Sequence, residues 1–108
     1  MLVEPGEILL IITRRLFEND HLRQFVGRVK AVTESTVRLE GYPFFFDTNA
    51  GEYIKKGRRV RIFALADSGN IIIVIPKDVN LDDISYKESK KGWETITDGN
   101  TFELKVKF

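Results

Sequence analysis

The chain has no cysteine and a single histidine. The first absence excludes disulfides, thiol catalysis and Cys-based zinc sites, and it agrees with a reducing compartment. The second leaves His21 unable to build a His-rich metal centre, and no nucleophile or orienting partner can be placed beside it as a general base. No P-loop, no G-x-S-x-G and no dinucleotide fingerprint occurs. No apolar run approaches the ~20 residues that span a bilayer, Ile8 to Ile12 being the longest early one. The first residues carry Glu4, Pro5 and Glu7 where a signal peptide needs positive charge. These gaps point away from an enzyme and toward a cytoplasmic, non-membrane protein with no cofactor and no metal.

What is present reads as β-structure. The 108 residues suit one domain, 1–108, and eight Phe with three Tyr make it rich in aromatics that favour pleated surfaces. Arg58 to Pro76 organises the reading. Val60, Ile62 and Ala64 alternate with Arg59, Arg61 and Phe63, the period of a half-buried strand. Ile71 to Ile75 is an unbroken β-branched run. Asp67 to Asn70 lies between them and predicts a hairpin, which Pro76 ends.

Further strands are expected over Glu7 to Arg15, His21 to Thr33, Thr36 to Asp47, Ser85 to Ser89, Trp93 to Thr97 and Thr101 to Phe108. Gly27 in mid-strand predicts a bend, a bulge or a close backbone contact. Gly41-Tyr42-Pro43 predicts a bulge that shifts the pleat before Phe44. Asp98-Gly99 predicts a hairpin whose second strand turns Phe102, Leu104, Val106 and Phe108 inward. Asp47 to Gly57 is the least regular stretch, and Pro76 to Asp83 has room for a short helical turn. About eight short strands joined by tight turns give an all-β fold, either a small antiparallel barrel or a strongly bent sheet.

Several strings together resemble a family of small bacterial β-proteins without a known activity: Arg14 to Glu18, Phe25-Val26-Gly27, Gly41-Tyr42 with Phe46-Asp47, Leu65 to Asn70, and Thr97-Asp98-Gly99. The resemblance implies a small bacterial protein and no particular chemistry. The central strand pattern is also similar to the SH3 and Sm class of small barrels, a likeness of fold alone.

Charge is unevenly spread. Residues 55–75 carry five Lys or Arg against one Asp in a chain of net charge +1. Lys55, Lys56, Arg58, Arg59 and Arg61 stand among Tyr53, Phe63 and the Phe44–Phe46 rings, a mixture suited to single-stranded RNA or DNA. The bland reading of the same run is a solvated turn whose lysines block edge pairing. Asp78-Val79-Asn80-Leu81-Asp82 opens like a calcium loop. Asp83 occupies the position that needs Gly and Ser89 the one that needs Glu, so a capped turn is the better reading. Tyr42, Phe44 and Trp93 are the candidates to line a small-ligand pocket in the interior of a barrel.

Ile8 to Ile12 and Ile71 to Ile75 are apolar at every position, whereas a single-layer strand buries only alternate residues. A second cover is therefore expected, and a homodimer is the expected source. With Ile71, Ile73 and Ile75 on the core, Ile72 and Val74 would face the partner. The leading expectation is a non-enzymatic binding or assembly module. A single-strand-binding barrel and a small-ligand carrier or enzyme are the alternatives.

Overall fold

The computed structural model describes residues 3–13, 23–47, 49–65, 69–90, 93–100 and 102–107, with backbone alone at 88–90, 93–94 and 106–107. Among the described residues nine strands and one 3-10 turn follow in chain order. They are β1 (Ile8–Ile12), β2 (Arg23–Val32), β3 (Thr36–Asp47), β4 (Glu52–Lys55), β5 (Arg59–Ala64), β6 (Ile71–Ile75), the turn Leu81–Asp83, β7 (Ser85–Lys90), β8 (Trp93–Thr97) and β9 (Glu103–Lys107). All pairings among the described residues are antiparallel. No described helix is long and apolar enough to cross a membrane.

The strands form two sheets, and neither closes into a barrel among the described residues. The larger has the order β4-β3-β2-β1-β6, with β5 also on β3, and the smaller is β7-β8-β9. The predicted β5–β6 hairpin does not form. Instead β5 pairs with β3 and β6 with β1, on opposite sides of the large sheet. Gly69 does take the positive φ of a turn (φ 74). A turn signal cannot distinguish a hairpin from a crossing to another strand, and β1 is the better partner because its apolar residues match those of β6 rung by rung, Leu10 against Ile73 and Ile8 against Ile75.

β1 lies inside the sheet and is buried on both faces. Ile8 and Leu10 join Val26, Phe44, Ile75, Val79, Leu81, Ile84 and Ile96 in one core, to which the small sheet adds Tyr86 and Leu104. Leu9 and Ile11 join Phe25, Val29, Val37 and Leu39 in a second core on the other face. That second face has no sheet opposite it among the described residues. Val3, Val32, Phe63, Leu65 and Ile72 pack against it instead. The second cover expected for the all-apolar β1 therefore comes from the same chain. One half of it is the 77–84 segment and the small sheet.

Two glycines set the centre of the large sheet. Gly27 of β2 sits directly opposite Gly41 of β3. A Cβ on Gly41 would lie 1.9 Å from the Val26 carbonyl oxygen and 2.5 Å from the Gly27 Cα. The mid-strand glycine thus marks a close backbone contact, one of its three predicted meanings. The bulge expected in β3 at 41–43 is found in its neighbours. The β2 register shifts between Val29 and Ala31. On the other edge, Tyr42 and Pro43 face Lys56, Gly57 and Arg58, with the Lys56 N–H donating to Pro43 O at 2.9 Å. An extra residue of this kind bends a strand and increases its twist.

The Asp-Gly signal at 98–99 is met. Gly99 has φ 77, the Asp98 carboxylate accepts from the N–H groups of Asn100 and Phe102, and β8 runs back as β9. Phe102 and Leu104 pack on the first core while Glu103 and Lys105 are exposed, as the alternation predicts. Glu103 pairs with Lys87 of β7, which holds its carboxyl below the usual range.

Candidate functional site

The bulge divides four residues of the basic run into two groups with different surroundings, while Lys56, within the bulge, is exposed. Lys55 and Arg58 turn toward the 3-10 turn. The Lys55 ammonium donates to Asp82 O (2.7 Å) and Ile84 O (2.9 Å) and sits 4.2 Å above the Tyr42 ring. The Arg58 guanidinium donates to Glu40 Oε1 (3.0 Å) and Asp82 Oδ1 (2.9 Å). The Tyr42 hydroxyl donates to the same Asp82 oxygen at 2.5 Å. Asn80 caps the turn by accepting from the Asp82 N–H at 3.1 Å, so the stretch that opens like a calcium loop is a capped turn. Among the described residues no three His, Asp or Glu side chains come together in a metal-binding group.

This cluster clamps the β4–β5 bulge to the 3-10 turn. The Asp82 hydrogen bond pushes the Tyr42 phenol above its ordinary value of 10.0, with burial adding to it. Burial pulls the Lys55 ammonium below its ordinary 10.5, against the attraction of Asp82 and Asp83. The sign for Tyr42 is clear. A proton held more tightly in the folded state stabilises fully below the unfolded value and is lost as pH rises through the folded one. The stability difference between wild type and Tyr42→Phe, measured by urea unfolding, is therefore expected to be steady to about pH 9 and to shrink above pH 10. The comparison removes the opposite drift from Lys55, which both proteins share. A difference that stays constant to pH 11.5 would show that this bond does not hold the clamp.

Arg59 and Arg61 point the other way. In the β3–β5 pairing Arg59 faces Gly41, Arg61 faces Leu39 and Phe63 faces Val37, and paired residues project from the same side of a sheet. That is the side of the second core, where Phe63 meets Phe25 with ring centroids 5.3 Å apart. The expected burial of β5 is thus inverted. Val60 and Ile62 are 55% and 63% exposed, because the small sheet does not cover this corner, and Phe63 supplies the buried contact.

Where β2, β3 and β5 converge, this side opens into a cleft of about 210 Å³. Phe25, Pro43, Phe45 and Phe63 give it apolar walls, with Thr13 and Gln24 also lining it, and Arg23 and Arg61 bring the charge. The Arg23 guanidinium lies 5.6 Å from the centre of the Phe45 ring. Among the described residues Arg23, Arg59 and Arg61 make no ion pair, unlike Arg58. Gln24 is 2% exposed; its Nε2 donates to the Tyr53 hydroxyl at 3.1 Å, and its Oε1 has no hydrogen-bond partner among the described residues. Such a buried acceptor ordinarily costs about 1–3 kcal/mol. Asp47 and Glu52 are cross-strand neighbours at the far end of β3, one rung beyond Phe46 and Tyr53.

Two of the three residues expected to line a pocket, Tyr42 and Phe44, lie in or pack against the first core. Phe44 is buried in the first core in edge contact with Tyr86, although it also borders the cleft. Tyr42 belongs to the clamp. Trp93 begins β8, and its side chain lies outside the described residues, as do His21 and Arg14 to Glu18. Of the expected interface pair, Ile72 packs on the second core and Val74 is 57% exposed. Arg23 was missed, and so was its pairing with Phe45. The signal was that rung pairing, which single-strand periodicity does not reveal. No family model, curated protein or solved structure matches the chain.

Proposed function

We propose that this protein is a non-enzymatic binding module whose cleft takes a planar, negatively charged ligand. One observation carries the reading: Arg23 and Arg61, neither with a carboxylate partner among the described residues, flank a cleft walled by Phe25, Phe45 and Phe63. Rings accept a flat apolar body and guanidinium groups accept an anion, through charge-assisted and cation–π contacts that such a mouth pre-positions. The absence of cysteine and of a nucleophile motif supports binding rather than turnover. Adenosine 5′-monophosphate is a suitable probe. Titrated into the labelled protein, it is expected to shift the amide signals around Arg23, Phe45 and Arg61, and Arg61→Gln is expected to weaken it about tenfold or more. Shifts confined to other surfaces, or none, would overturn the reading.

We also propose a twofold homodimer through β6. This strand pairs with β1 on one side only among the described residues, and it leaves Ile71 and Val74 each 57% exposed. An uncharged β-branched edge of this kind is a ready template for a second strand.

A further inference from the structure

We infer that the ligand of the cleft is a single-stranded nucleic acid that enters with one base and continues along β5. The inference rests on the cleft being a binding site and adds the class of ligand. Its first support is size. About 210 Å³ is below the ~300–1,000 Å³ typical of sites that enclose a whole small molecule, so the cleft holds one flat group of something larger.

The second support is where the charge without an ion-pair partner among the described residues goes from there. Arg61 is at the cleft and Arg59 follows two residues back on the same face of β5, about 6.8 Å away at the rise of an extended strand. Both are exposed. That spacing suits successive phosphates of an extended strand better than the two oxygens of one phosphate. On the other wall the Arg23 guanidinium lies 5.6 Å from the centre of the Phe45 ring, within cation–π range, and aromatic rings and guanidinium planes are both surfaces on which a base can stack without regard to sequence. Lys55 and Arg58 take no part, since the clamp around Asp82 holds them. The nucleic-acid surface therefore leaves out Lys55 and Arg58 and centres on Arg23, Arg59 and Arg61, with the exposed Lys56 at its margin. A duplex, whose bases are stacked inside, offers nothing to the rings.

Fluorescence anisotropy tests this with labelled eight-residue RNA and DNA strands, the corresponding duplex and adenosine 5′-monophosphate as competitor. Three arginine–phosphate contacts at ~0.7 each predict a slope of about −2 in log affinity against log salt, close to a twentyfold loss between 50 and 200 mM. Arg59→Gln or Arg61→Gln is expected to reduce the slope by ~0.7, while Lys105→Gln on β9 leaves affinity and slope unchanged. Both arginines are exposed, so near-ultraviolet circular dichroism should confirm that the variants remain folded. If the mononucleotide binds the cleft but the octamers bind no more tightly, the strand inference is overturned and the cleft reading stands. If neither binds, both fall. Duplex binding as tight as single strand, or equal losses from Lys105→Gln, also overturns the inference.

Discussion

Gly41→Ala is expected to be the most damaging single methyl group that can be added to this protein. The built Cβ would stand 1.9 Å from a backbone oxygen of β2, and no side chain can swing away to admit it. Relief requires β2 and β3 to separate at the rung where both carry glycine, and these two strands hold Val26, Val29, Leu39 and Phe44 in place. Losses above ~4 kcal/mol are exceptional for single substitutions, and this one belongs with them. Against a total of roughly 5–15 kcal/mol, it is expected to leave most of the chain unfolded at 37 °C. Gly57→Ala is the matched control. Nothing lies within 4 Å of its added Cβ and its φ is not positive, so the change should be neutral or stabilise by up to about 1 kcal/mol through the unfolded chain. Urea unfolding of the two variants decides the matter. Similar midpoints would mean that β2 and β3 do not meet as closely at this rung as the structure places them.

The strands were largely legible in the sequence because each carries its own period. Thr36 to Asp47 has the predicted bounds, and the alternation of Phe102 to Lys105 gave the correct inward face. Pairing was less legible. Ile71 to Ile75 is apolar at every position, so nothing in its own pattern says whether Arg59 to Ala64 or Ile8 to Ile12 lies beside it. β4 was hidden because its four residues, Glu52 to Lys55, sit between turn signals and are too few to show a period. The inversion of β5 had the same origin. Val60 and Ile62 look like a core face, but which face of an edge strand is covered depends on how far the second sheet extends. The cleft depended on pairing throughout. The basic run was visible as a run, yet its division follows from the bulge opposite Tyr42 and Pro43. Once the bulge is placed, Arg58 meets Asp82 while Arg59, next in sequence, turns toward the arginine-lined cleft.

Val74→Lys is expected to convert a dimer into a folded monomer. β1 finds cover for both of its faces within the chain, so the question of a partner reduces to β6. There, Ile73 and Ile75 are committed to the first core and Ile72 to the second, while Ile71 and Val74 remain open at opposite faces of the strand. Antiparallel pairing of two β6 edges about a twofold axis would extend the sheet across both copies and cover these residues. A lysine at 74 costs the monomer little, since the position is already exposed, and charge on an edge is how natural sheets prevent this pairing. In the dimer two such lysines would approach across the axis, and like charges in an interface cost several kcal/mol, so a weakening of at least about a hundredfold is expected. Ile73→Lys should instead unfold the chain, because it drives a charge toward the first core. Size exclusion with light scattering over a concentration series, with circular dichroism of each variant, separates the outcomes. A wild-type monomer at every concentration removes the dimer. A Val74→Lys dimer as tight as wild type moves the interface away from β6, and the exposed Val60 and Ile62 of β5 then become the surface to substitute.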